Sequence, residues 1–240
     1  MADERPFLIL KAGSLAPVSV LFTDRFGDTE GTFLSGCGLA PHQAVVVDLQ
    51  AGDPLPAKVS DYAGALVSGS SAMVTDAAPW MDTAAHWLRG AVEADLPVLG
   101  VCFGHQLMAH AFGGRVGPNP AGIEGGTVEV SFAANDDPLF GGMPAVVDLQ
   151  AHHYQTVLDL PPQATVFARS GGDRFQAVRY APRAWSVQFH PELTLPMMEL
   201  LMATLAAKDD RHGHAEMLAT LRPSPEGPRL LQRFVDLARG

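Results

Sequence analysis

The segment Val98-Leu99-Gly100-Val101-Cys102-Phe103-Gly104-His105-Gln106 sets a cysteine between two nearby glycines, at the end of an apolar run and before a helical pattern. A strand–turn–helix of this kind carries a nucleophile on a cramped turn whose neighbours must be small. The helix aims its free N–H groups and positive dipole end at the sulfur, which favours the reactive thiolate. The backbone N–H of Phe103 then lies where an oxyanion would form. The competing reading makes Cys102 a small buried apolar residue, a common fate of free cysteines. A second segment weighs against it. Residues 185–192 (WSVQFHPE) read as a strand ending in His190, Pro191 and Glu192. Pro191 cannot continue a ladder, so His190 falls at the strand end, where ligand chemistry collects in α/β folds. His190 can take a thiol proton and return it to a leaving amine. Glu192 can accept from the second ring nitrogen and fix its tautomer. Alone, each motif has a structural explanation; only a fold that joins them makes chemistry.

The elements around these motifs predict such a fold. Residues 7–10 are an apolar run. Residues 44–49 (AVVVDL) and 97–101 (PVLGV) read as buried parallel strands, and residues 65–67 lead into a Gly/Ser turn. Residues 83–94 and 105–112 have helical spacing, the second stopped by Gly113-Gly114. This alternation predicts an α/β fold with a mostly parallel central sheet flanked by helices. Residues 127–132 alternate as a half-exposed strand would. Residues 164–168, 175–178 and 185–189 follow at short spacing with Gly and Pro between them, which predicts a small antiparallel section. Residues 197–207 and 230–239 are helical, with a polar stretch from Lys208 and a Pro223-Ser224-Pro225 break between them. We expect one domain over 1–207 and a C-terminal tail, 208–240, whose helix packs back on it.

Composition removes several function classes. The formal net charge of −10 argues against binding a phosphate backbone, which needs clustered Lys and Arg. Two cysteines, Cys37 and Cys102, are too few for a secreted disulfide scaffold of 240 residues. The start MADERPFLIL lacks the basic n-region and long apolar stretch of a signal peptide, and no apolar run is long enough to span a membrane. The cytosol is the expected location. Cys37 reads as a loop or helix-end thiol. His152-His153 and His212-Gly213-His214 lack a Cys or carboxylate cluster at ligand spacing, so no metal is expected. The Gly-rich turns match no Walker or dinucleotide signature, so no cofactor is expected either. His105 reads as a residue opening the helix, and Trp80, Trp87 and Trp185 as packing.

GVCFGHQL followed by AFGG, with VQFHPE later in the chain, resembles the class I glutamine amidotransferases and their Cys-His-Glu triad. Weaker likeness in LVSGSSAMVTD, DDPLF, HHYQTV and LPPQATVFARS extends the resemblance from about residue 7 to about residue 200. The chain looks most similar to the stand-alone, GMP-synthase-like members. The resemblance implies a flavodoxin-like domain that hydrolyses the side-chain amide of glutamine through a thioester. Cys102 would be its nucleophile, His190 its base and Glu192 its third member. Gln106 matches a position near the substrate. Ser68-Gly69-Ser70 corresponds to the family's Gly-Gly oxyanion loop, so Gly69 and Ser70 would face the N–H of Phe103. Ser70 stands where a second glycine is usual, but a backbone donor survives that change. His153-Tyr154-Gln155 matches a His-x-Asp segment bordering the substrate's amino-acid head, with Gln155 in place of the acid. A neutral residue there keeps another γ-glutamyl substrate in play. A non-catalytic relative that binds a partner is the third reading. No acceptor-activating domain occupies the chain, and ammonia without an acceptor would waste glutamine, so a separate synthase or acceptor protein is the expected partner.

Overall fold

The computed structural model describes residues 3–134 and 136–240, so the Met1–Ala2 start of the N-terminal reading lies outside the described residues. The first half alternates strand and helix: β1 (Phe7–Lys11), α1 (Val20–Phe26), α2 (Thr29–Cys37), β2 (Ala44–Asp48), β3 (Ala65–Val67), α3 (Pro79–Glu93), β4 (Val98–Val101) and α4 (Phe103–Ala111). Seven strands follow: β5 (Arg115–Pro118), β6 (Glu124–Phe132), β7 (Val146–His153), β8 (Gln155–Asp159), β9 (Thr165–Arg169), β10 (Ala177–Ala181) and β11 (Ala184–Val187). Helices α5 (Leu195–Lys208), α6 (His214–Ala219) and α7 (Glu226–Arg239) close the chain.

One nine-stranded sheet has the order β2-β1-β3-β4-β11-β10-β9-β6-β7. From β2 to β11 neighbours run parallel, with Leu99 opposite both Leu66 and Trp185. From β11 to β7 they run antiparallel. Strands β5 and β8 pair antiparallel in a separate small sheet. This is the flavodoxin-like α/β architecture expected from the sequence. The inner parallel strands β1, β3, β4 and β11 are buried on both faces, and β1 divides its side chains between them. Phe7 and Ile9 join a core with α2 and α7, whereas Leu8 and Leu10 join a second core with α3 and α4. Neighbouring strand side chains point to opposite faces, so an unbroken apolar run serves both cores.

The strand expected to be buried at residues 44–49 is only partly so, with Val47 and Leu49 in the second core. Strand β2 lies at the sheet edge, and Val45 and Val46 are exposed. A β-branched run suits an edge as well as a centre, so composition could not separate the two. Helices α1 and α2 were not foreseen. Ser19 caps α1 by accepting the Phe22 N–H at 3.1 Å, and left-handed Gly38 stops α2. A third apolar cluster joins Phe22 of α1 to Leu193 and to Met197, Met198, Leu201 and Met202 of α5. Leu231 and Phe234 of α7 lie in the first core, which is why the chain's last helix has one strongly apolar face. Among the described residues no helix is long and apolar enough to cross a membrane.

Candidate active site

Strand β4 delivers Cys102 to the tip of the parallel sheet. Its backbone turns there at φ 53° and ψ −104°, in the left-handed region that a non-glycine residue enters only under constraint. The constraint comes from both sides. The Cys102 N–H donates to the Val187 carbonyl at 2.9 Å, completing the β4–β11 ladder, and α4 begins at the next residue. The flanking glycines are required by contact. A Cβ on Gly100 would lie 2.5 Å from the Gly104 carbonyl oxygen, and one on Gly104 would lie 2.4 Å from that of Val67. Phe103 sends its ring into the second core, 5.5 Å from Trp80, while its N–H opens α4 and has no acceptor within the helix.

His190 sits just past β11, its N–H donating to the Gln150 carbonyl of β7 at 2.7 Å. Its Nδ1 donates to Glu192 Oε1 at 2.7 Å, and its ring makes a side-chain hydrogen bond with the Cys102 thiol. With Nδ1 committed to the carboxylate, Nε2 is the nitrogen left for sulfur. Helix α7 backs this turn, because Gly227 packs against Pro191 so closely that a Cβ would lie 2.8 Å from the Pro191 carbonyl oxygen. Burial alone would push the Cys102 thiol up. The His190 charge and hydrogen bond, with His153 behind them, outweigh burial and leave the thiol below its ordinary value. Burial likewise opposes the His190 cation, but Glu192 and Cys102 hold it well above the usual histidine range. Both shifts run toward the charged forms, thiolate at Cys102 and imidazolium at His190. Cys37, at the buried end of α2, is driven by burial to about 12 and is inert by comparison.

Gly69 lies against this pair; a Cβ there would sit 3.0 Å from His190 Cε1 and 3.7 Å from Cys102 Cβ. Ser70 turns its hydroxyl away, accepting from Ala72 N–H at 3.0 Å and from Gln50 Nε2 at 3.2 Å. Gln106 is buried, with its amide nitrogen donating to the Gln155 carbonyl at 2.7 Å and Gln188 Oε1 at 3.0 Å. The Gln155 side chain donates to Thr75 Oγ1 at 2.5 Å, and its buried Oε1 has no hydrogen-bond partner among the described residues. All nine residues expected at the site thus line or border one cavity of about 410 Å³.

His153 proves to be more than a lining residue. Its Nδ1 faces the Gln155 carbonyl oxygen and its Nε2 faces Glu124 Oε2, both at 2.9 Å. With Glu124 ionised both partners only accept, an arrangement in which both ring nitrogens donate and the imidazolium is favoured. Burial opposes that charge, but Glu124 raises it above the usual range. Glu124 is held below its ordinary value against burial by His153 and by Ser170, which donates at 2.5 Å. Glu124, His153 and Asp173 are close enough to share a metal. Hydrogen bonds already occupy them: Gln176 donates to Glu124, and Thr156 and the Phe175 N–H donate to Asp173. His105 does not open α4. It is buried inside the helix with Nδ1 2.7 Å from Ser186 Oγ, and burial lowers it to about 3.

Several cavity residues carry no signal in the sequence. These are Leu15 and Val18 before α1, Thr29 and Thr32 of α2, Leu201 and Leu205 of α5, and His212 of the tail. His152, also in the wall, is lowered to about 3 by burial, and its Nε2 lies 3.2 Å from His214 Nε2.

Known proteins resemble this chain in sequence and in fold. A subunit of the glutamine-hydrolyzing GMP synthase of Halobacterium salinarum is 34% identical over 177 residues, covering 72% of this chain and 88% of that one. The corresponding GMP synthase subunit of Archaeoglobus fulgidus is 40% identical over 103 residues, covering 42% and 55%. The Thermomicrobium roseum GMP synthase is 37% identical over 131 residues, and the chain spans only 23% of its length. A crystal structure of a glutamine amidotransferase from Thermotoga maritima superposes with a TM-score of 0.77, over 98% of this chain and 99% of that one, at 17% identity. Residues 40–203 match the model of the class-I glutamine amidotransferases, a stretch that contains Cys102, His190 and Glu192, and the chain belongs to that family.

Proposed function

We propose that this chain hydrolyses the side-chain amide of glutamine to glutamate and ammonia through a thioester on Cys102. The observation that carries the reading is the continuous series of thiol, imidazole and carboxylate, set on a constrained turn at the mouth of a helix. The thiolate attacks the amide carbon. The oxyanion meets the N–H of Phe103 and those of the Gly69-Ser70 turn, donors worth about 3–4 kcal/mol each by deletion. His190 gives its proton to the departing ammonia, then takes one from the water that cleaves the thioester. Glu192 keeps the ring oriented and its charge stabilised through both steps. Gln106, His153 and Gln155 form the wall that receives the glutamyl part. Residues 1–207 carry this chemistry, and α7 in the 208–240 tail supports the His190 turn.

Two of the relatives are named as subunits of glutamine-hydrolyzing GMP synthases. On that likeness we place the chain in the cytosol beside a separate synthase that receives the ammonia. The purified chain should release glutamate and ammonia from glutamine, Cys102→Ser should release neither, and the cognate synthase with its substrate should raise the rate. Undiminished glutamine hydrolysis by the folded Cys102→Ser variant would refute the thioester.

A further inference from the structure

The cavity lining has two unlike parts. One is polar, where Gln106 donates to the Gln155 carbonyl and the Gln155 side chain donates to Thr75. The other lies beside His190. Leu193 closes a turn onto the His190 carbonyl at 3.4 Å and packs with Leu201, Leu205, Leu15 and Val18, and all five face the cavity. This aliphatic wall is fastened in place. The Leu15 N–H donates to Asp28 at 2.7 Å, and Asp28 is gripped by Lys11 at 2.6 Å. Lys208, at the end of α5, donates to the Pro17 carbonyl at 3.2 Å and to that of Val18.

When an amide is cleaved, the nitrogen that takes the base's proton is the one that leaves, so the leaving amine must lie on the His190 side. Ammonia has no apolar surface to bury against five branched aliphatic side chains. An amine bearing an alkyl or aryl group has. We propose that the site also hydrolyses N-substituted γ-glutamyl amides and prefers them to glutamine, seating the amine's apolar substituent against the Leu15–Val18–Leu193–Leu201–Leu205 wall. The proposal rests on the thioester reading above. Cys102 Sγ bonds to the amide carbon as the C–N bond breaks, and the His190 proton leaves on the amine. Water then adds to the thioester carbon, giving a proton to His190. The C–S bond breaks, releasing glutamate and restoring the thiolate.

The test is kcat/KM for glutamate release by the full chain from L-glutamine and from its γ-N-methyl, γ-N-propyl and γ-N-butyl amides. The value should rise along the series by at least about tenfold, since a methylene in an apolar pocket is worth about tenfold or more. Leu205→Ser, at a half-buried position, should flatten that rise at least about threefold, as one of five wall residues loses its apolar surface; the wild-type series decides the question if this variant fails to fold. A fall at the methyl step, with glutamine still hydrolysed, overturns the proposal and leaves the glutaminase reading intact. Turnover of the butyl amide but not of glutamine supports the proposal and removes the glutaminase reading. Hydrolysis of neither compound, or hydrolysis that survives Cys102→Ser, overturns both.

Discussion

Replacing Glu192 by Gln tests the proposed mechanism most finely, because it keeps the side chain's shape and removes only its charge. The bond to His190 is 2.7 Å long, and the two side chains are 12% and 5% exposed, so solvent screens it little. A charge-assisted hydrogen bond in such a setting is worth about 1.5–3 kcal/mol. That converts to a loss in kcat/KM of about ten- to a hundredfold. The loss should be partial, because the base itself remains. His190→Ala removes the proton carrier and the cation facing the thiolate, and should cost about a hundred- to ten-thousandfold. The pH profile gives a second readout. Burial lowers the His190 pKa, and Glu192 is the first of the influences that raise it. Activity through a thiolate–imidazolium pair is lost as pH rises through the His190 value, so Glu192→Gln should shift the alkaline limb to lower pH. Steady-state assays from acid to alkaline pH on the folded variants measure both effects. A loss under about threefold, a loss equal to that of His190→Ala, or an unmoved alkaline limb would each refute the role given to Glu192.

Three further outcomes follow from the same geometry. A glutamine analogue with an electrophilic side chain should label Cys102 and spare Cys37, whose thiol is pushed up to about 12 by burial, and peptide mapping of the labelled chain reads the ratio. Glu124→Gln should strip His153 of the partner that keeps it charged; because the His153 cation helps lower the Cys102 thiol, the pH dependence of iodoacetamide alkylation at Cys102 should move to higher pH. Gly104→Ala sets a Cβ 2.4 Å from the Val67 carbonyl oxygen. Neither backbone can yield, so thermal melts should show a loss of about 1–3 kcal/mol, or several degrees in Tm.

What the sequence revealed and what it hid divide along a physical line. Cys102 and His190 were legible because each follows closely on a strand, and the turn there demands residue types that stand out: glycines that cannot bear a Cβ, and a proline that cannot continue a ladder. The parallel strands were legible where burial on both faces leaves an unbroken apolar run. The same signal failed at β2, where Val45 and Val46 face outward at an edge. Strands β5, β7 and β8 were hidden because their sequences mix polar and apolar residues without a clean alternation. Buried side chains such as Gln150, His153 and Gln155 find their partners far off in the chain, on the tail, on β6 and in the turn between β3 and α3. The charge on His153 lay deepest. Its neighbour Gln155 supplies a backbone oxygen to Nδ1, but the deciding carboxylate is Glu124, far back along the chain on β6. Strand pairing sets Glu124 opposite His153, and only that register turns two unremarkable residues into a fixed ion pair behind the nucleophile. The Cys102 thiolate is thus favoured from two directions: by His190 directly, and at a distance by the charge on His153, which the β6–β7 register sets against Glu124. A one-residue slip of β6 on β7 would turn Glu124 to the opposite face and take that charge away without altering any member of the Cys102–His190–Glu192 series.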